Sequence, residues 1–128
     1  SVATDMIRAA IVESNNSNDS RPAPNGMINA ELYSGGHVIA SYHLPTSGDM
    51  KVSKLSLRGS VSRAPSGKVS ITIYNTSTGK WDPARLNTSV ANPANYVSAA
   101  RDVRVRAKVN SSDYVTVNMG LTAECARK

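Results

Sequence analysis

Apolar and polar residues alternate with a period of two along much of this chain, and the clearest case is Lys68 to Trp81. Val69, Ile71 and Ile73 alternate with Lys68, Ser70, Thr72 and Tyr74, the pattern of a strand with one face buried and the other in water. The run breaks at Asn75-Thr-Ser-Thr-Gly79. There, side chains that bond their own backbone and a glycine free to take positive φ favour a tight turn. Trp81, the only tryptophan, follows. This strand, turn and aromatic form the expected structural centre. Val103, Val105, Ala107 and Val109 make one face of a second strand, with Asp102, Arg104, Arg106 and Lys108 on the other. Val115, Val117, Met119 and Leu121 point inward opposite Tyr114, Thr116 and Asn118, after a turn at Ser111-Ser112. Residues 101 to 122 are thus expected as an antiparallel hairpin.

Upstream, Leu55, Leu57 and Val61 alternate with Ser56, Arg58 and Ser60, and Gly59 interrupts them as a bulge or a close backbone approach. Ala64-Pro-Ser-Gly67 turns the chain into the Lys68 strand. Met27 to Tyr33 and His37 to Leu44 read as two strands joined at Ser34-Gly35-Gly36, a glycine pair that suits a short hairpin. The spacing of Met6, Ile7, Ala9, Ala10, Ile11 and Val12 suits a short helix and an irregular strand almost equally, with a slight preference for strand. Glu13 to Gly26, polar and carrying two prolines, reads as a surface loop. After Trp81 come a weaker strand near Leu86 to Val90 and a loop, Asn92-Pro-Ala-Asn-Tyr-Val97. About eight short strands separated by Gly, Pro and Asn turns, without a long helix, predict an all-β chain. The expected fold is a single antiparallel β-sandwich, jelly-roll-like, over 1 to 128, with 1 to 26 an N-terminal strand plus polar loop.

Composition narrows the function more than the fold. The chain has 128 residues, the size of one domain, and contains no phenylalanine. Its core must come from Val, Ile, Leu, Met and Ala, which pack well on pleated sheets when β-branched. The formal charge is +6, which permits an anionic partner without naming one. No window carries the dense basic run or the basic and aromatic interleaving expected of a nucleic-acid binder, so that partner is disfavoured. Cys125 is the only cysteine, which rules out an internal disulfide and a multi-cysteine zinc site. His37 and His43, six apart, can share a strand face but lack the further ligands a metal needs. The Asn/Asp cluster after Glu13 lacks the spacing of a calcium loop. No cofactor or metal is expected. No apolar run approaches the roughly 20 residues that span a bilayer, and the N-terminus has no signal pattern. A start at Ser1 is expected of a processed product or an excised fragment. Neither a Gly-x-Ser-x-Gly elbow nor a His-Glu-x-x-His helix occurs, so no enzyme is expected.

Two sets of residues are candidates for binding. Trp81, Tyr74 and Tyr96 can stack on a sugar ring while Asn75 or Asp82 bonds its hydroxyls; the competing role for Trp81 is to plug the rim of the sandwich. Arg104, Arg106 and Lys108 share one strand face at roughly 6 to 7 Å intervals and can hold an anionic ligand. Their competing role is a solvated face that discourages aggregation.

From residue 27 to 122 the pattern resembles the β-sandwich accessory modules, galactose-binding-like or jelly-roll in type, of secreted bacterial proteins. The residues that carry it are Ile73-Tyr-Asn-Thr-Ser-Thr-Gly-Lys-Trp81, Asn92-Pro-Ala-Asn-Tyr-Val97 and Val103-Arg-Val-Arg106. The resemblance implies a non-catalytic extracellular module and leaves its ligand open; with the candidate residues above, the expected partner is carbohydrate or another protein surface. The alternative is a structural subunit of a virion coat or surface filament that assembles with its own copies, in which Glu13 to Gly26 and the tail after Leu121 become ordered.

Overall fold

The structure, a computed structural model, describes residues 2–62, 69–110 and 114–128. The expected turns at Ala64 to Gly67 and at Ser111-Ser112, and Lys68 itself, lie outside them. The described residues form one antiparallel sheet of eight strands. These are β1 (Arg8–Ala23), β2 (Met27–His43), β3 (Met50–Ser62), β4 (Val69–Asn75), β5 (Lys80–Pro83), β6 (Thr88–Ser89), β7 (Asp102–Val109) and β8 (Val115–Arg127). The all-β antiparallel fold is therefore as expected, with the sheet curled into a half-barrel around its apolar face.

Everything hangs on β2. Ile28, Ala30 and Leu32 in its first half and Val38, Ala40 and Tyr42 in its second are buried, while the residues between them face outward. One edge of β2 pairs with β1 over nearly its whole length, from Ala23↔Met27 to Arg8↔His43. The other edge pairs first with β8, from Ile28↔Met119 to Leu32↔Val115, and then with β7, from His37↔Lys108 to His43↔Asp102. Thus β7 and β8 follow one another along β2 in the same direction.

This corrects two hairpins. Residues 101 to 122 do not fold back on themselves, and Met27–His43 is one kinked strand rather than two joined by a turn. Glycine and serine at an interruption of the alternation serve a kink as well as a reversal, so local pattern could not separate them. Gly35, at φ +70°, redirects β2 without reversing it. At Gly36 the chains crowd: a Cβ there would stand 2.4 Å from the Asn16 carbonyl oxygen and 2.8 Å from that of Tyr33, closer than real Cβ atoms come. Tyr33 and Tyr114 meet beside the kink with ring centroids 5.0 Å apart.

From this spine two wings extend. β8 carries β3, paired from Met50↔Arg127 to Ser62↔Thr116, and β3 carries β6. β7 carries β4, and β4 carries β5. The segment after β5 spans the opening between the wings: Ala84 N–H donates to Ile71 O on β4 at 3.0 Å and Val90 N–H to Leu55 O on β3 at 2.8 Å. Asn87 also bonds both the N–H and the carbonyl of Gly59. Gly59 sits at φ +142°, where a Cβ would collide with the Asn118 carbonyl, so the close approach expected there is present.

Three further expectations change. Glu13 to Gly26 is no loop: β1 runs to Ala23. Its side chains are polar on both faces because an edge strand draws its order from the backbone ladder, and register shifts with Asn16 and Asp19 at positive φ accommodate the irregular stretch. The tail after Leu121 is likewise not free, since β8 continues to Arg127 against β3. The Val69–Asn75 strand, finally, is one place from an edge rather than at the centre. The weaker strand near Leu86 to Val90 shrinks to Thr88–Ser89, and the Asn92 loop contains a short 3-10 turn, Pro93–Tyr96.

In a core without phenylalanine, Tyr42 is the largest fully buried side chain. Its hydroxyl has no hydrogen-bond partner among the described residues, and burial drives its pKa upward. An orphan buried hydroxyl destabilises by its lost hydration. Tyr42→Phe is expected to leave stability unchanged or raise it by up to about 1 kcal/mol, whereas Tyr42→Ala should lose about 3 to 5 kcal/mol through the cavity it leaves. Urea denaturation of both variants distinguishes these effects.

Candidate functional site

The site begins with the turn joining β4 to β5. Asn75 is buried, 7% exposed, and its Oδ1 accepts the N–H groups of Ser77 at 2.9 Å and Thr78 at 3.2 Å. That geometry follows from an asparagine side chain folding over the two peptides after it. Its Nδ2 donates to Asp82 Oδ2 at 2.9 Å, and the Tyr96 hydroxyl donates to the same oxygen at 2.7 Å. The Thr76 N–H and hydroxyl both bond the Asn95 carbonyl. The hairpin is therefore tied to the 3-10 turn that follows it in sequence.

These bonds decide which candidates are available to a ligand. Asn75 spends both polar ends inside the protein, where it holds the turn. Asp82 and Tyr96 brace each other. The Asn75 amide and then the Tyr96 hydroxyl hold the Asp82 carboxyl below the usual carboxylate range, and the Asp82 bond pushes the Tyr96 phenol up.

Trp81 and Tyr74 are different. They pair across β4 and β5 and meet edge to face, with centroids 5.3 Å apart at 66°. Both are half-buried. β7 lies on the other side of β4, with Arg106 opposite Thr72, and the Arg106 guanidinium reaches across to lie 4.7 Å from the centre of the Trp81 ring. Arg104, one step along the same face, joins Tyr74, Thr76, Tyr96, Ser98 and Asp102 around a shallow pocket of about 250 Å³. The two candidate groups, aromatic and cationic, thus form one surface. Trp81 lies beneath an arginine on the outer face of the sheet.

The cations on this face are not neutralised. Arg104 and Lys108 are exposed and Arg106 is half-buried, and none of the three has a carboxylate partner within salt-bridge distance among the described residues. The nearby acids are engaged elsewhere: Asp102 Oδ1 lies 2.8 Å from His43 Nδ1, and Glu13 Oε1 2.7 Å from His37 Nε2. The sequence placed both histidines on one face, as found, but missed their carboxylates. Those partners lie on other strands and are set by register. Among the described residues no group of three or more His, Cys, Asp or Glu can hold a metal ion, and no helix is long and apolar enough to cross a membrane.

The Asp82 network makes a pH prediction. A carboxyl whose pKa falls on folding adds stability that is present above its unfolded value and is lost as pH falls through the folded one. Asp82→Ala is therefore expected to lower the denaturation midpoint at neutral pH and to differ less from wild type below the carboxylate range. A difference that stays constant across that range would show that the charge of Asp82 contributes nothing.

No curated protein matches the chain. Residues 1–123 match a family described as a domain of unknown function, DUF8815. With nearly its whole length matched, the chain belongs to the DUF8815 family.

Proposed function

We propose that this chain is a non-catalytic extracellular binding module that holds an acidic carbohydrate on the outer face of its sheet. The observation that carries the reading is the convergence of Arg104, Arg106 and Lys108, without carboxylate partners among the described residues, on the face that presents Trp81 and Tyr74. Arginine stacked on an aromatic ring keeps its N–H edge directed outward, where it can bind a carboxylate or sulfate in bidentate fashion. Tyr74 offers an apolar ring beside it for the carbon face of a sugar. The pocket of about 250 Å³ lies just below the roughly 300 to 1,000 Å³ usual for small-molecule sites, which suits one residue of a polymer lying along the face. Trp81, Tyr74 and Tyr96 stay in the proposed site with Arg104, Arg106 and Lys108, while Asn75 and Asp82 support it from within.

A second reading, the structural subunit of a coat or filament, is favoured by one observation, the outer edge of β1, which is unpaired among the described residues. The ordering of Glu13 to Gly26 and of the tail on assembly no longer supports it, because both are already paired within the chain.

As the only tryptophan, Trp81 is its own reporter. Titration with a sulfated or uronic-acid oligosaccharide is expected to change its fluorescence with an affinity that falls as salt rises, and Arg106→Ala should weaken binding about tenfold, the equivalent of roughly 1.4 kcal/mol. A neutral oligosaccharide should bind far more weakly. Equal response to the neutral sugar, or none to the acidic one, would overturn the reading, and binding of a short single-stranded oligonucleotide alone would reassign the face.

A further inference from the structure

A sheet that ends in an exposed strand offers unpaired N–H and C=O groups to any other chain, and proteins protect such edges. Two of the edges here are protected by shortness, since β5 has four residues and β6 two. β1, by contrast, has 16 residues and among the described residues pairs only with β2. Beyond Ile11 it is guarded: register shifts fall between Ile11 and Glu13, Asn15 and Ser17, and Asn18 and Arg21, with Asn16 and Asp19 at positive φ and Pro22. The stretch before the first shift is not. Arg8 to Ile11 pairs with His43 to Ala40 in unbroken register, and Ala9-Ala-Ile11 contains no charge, proline or glycine. Met6 and Val12, two large apolar side chains that are 58% and 49% exposed, flank this open stretch.

We propose that the open stretch of β1 binds a second copy of this chain, β1 against β1 in antiparallel, to continue the sheet across a two-fold axis. An isologous contact requires a self-complementary surface, and this one is. The order Arg8, small or apolar residues, Glu13 reverses on the partner, so each chain's cation approaches the other's anion. With Ala10 opposite its own symmetry mate, Ala9 meets Ile11, and Arg8 falls at the partner's Val12–Glu13 step, where β1 shifts register. Residues that face the same side of the sheet then stay together, since Arg8 and Ala10 share the outer face with His43 and Ser41. Glu13 holds His37 through Oε1, leaving Oε2 for the partner's Arg8. The small side chains of Ala9 and Ala10 let the two backbones reach ladder distance, roughly 4.7 to 4.9 Å. The inference goes beyond the carbohydrate reading and does not depend on it. In such a dimer the outer faces of both copies lie on one continuous sheet, which would give a repetitive polymer two points of attachment.

The test is sedimentation equilibrium of the full chain over a range of concentrations, with a chain mass of 13.6 kDa. Reversible association of wild type is expected. Ala10→Glu, which sets like charges against each other at the axis, should weaken it at least tenfold, corresponding to roughly 1.4 kcal/mol. Arg8→Glu alone should weaken it about 2- to 5-fold, as an exposed charge pair allows, and Arg8→Glu with Glu13→Arg should restore it. Circular dichroism checks that each variant is folded, and the charge swap keeps the proposal testable if Ala10→Glu is not. A larger assembly dissolved by the same substitutions also supports the edge contact. Wild type that stays monomeric throughout, or association indifferent to all three changes, overturns it. Sugar binding is read separately from Trp81 fluorescence, so either proposal can fail alone.

Discussion

The backbone ladder on both edges of β2 is the constraint from which the rest of the structure follows. A strand bonded along one side by β1 and along the other by β7 and then β8 leaves almost none of its peptide groups to water. Its alternating apolar side chains are thereby committed to one face, because a slip of one residue would turn them all outward. The kink is needed because a flat sheet of this length cannot enclose a core. Gly35 bends β2, Gly36 lets the neighbouring backbone close in, and the sheet curls until β3 and β4 are near enough for the segment after β5 to join them. Without phenylalanine, the volume is filled by valine, leucine, isoleucine and alanine from facing strands, with Tyr42 as the one large ring.

The candidate site is a consequence of this order of strands. β7 lies between β2 and β4, so its outward arginines are carried to the hairpin that holds Tyr74 and Trp81. Asn75, Asp82 and Tyr96 fix that hairpin from beneath, which gives Arg106 a ring of settled position to rest on. The acids that would quench the stripe are drawn aside by His37 and His43. Charge without a carboxylate partner among the described residues costs little on a solvated face and gives a positive field there.

What could be read from the sequence divides along a physical line. Alternation located β3, β4, β7 and β8 and sorted their faces correctly, because one buried side is a local property. It also set Arg104, Arg106 and Lys108 apart from Val103, Val105 and Ala107. It failed where the information was non-local. Nothing in Ser34-Gly35-Gly36 distinguishes a bend from a reversal until β1 is known to run past it, and β1 itself was misread at Glu13 to Ala23 because an edge strand need bury nothing. Likewise, the stacking of Arg106 on Trp81 depends on the register between β4 and β7, and the carboxylate partners of His37 and His43 on pairing across β1 and β7.

The central claim is that β7 and β8 run on in line along one kinked β2. Cross-strand nuclear Overhauser effects in the isotope-labelled chain test it most directly. The account predicts contacts between Leu32 and Val115 and between Val38 and Ala107. Contacts between Ala107 and Val117, with those pairs absent, would mean that the chain turns back on itself after β7 and would contradict it.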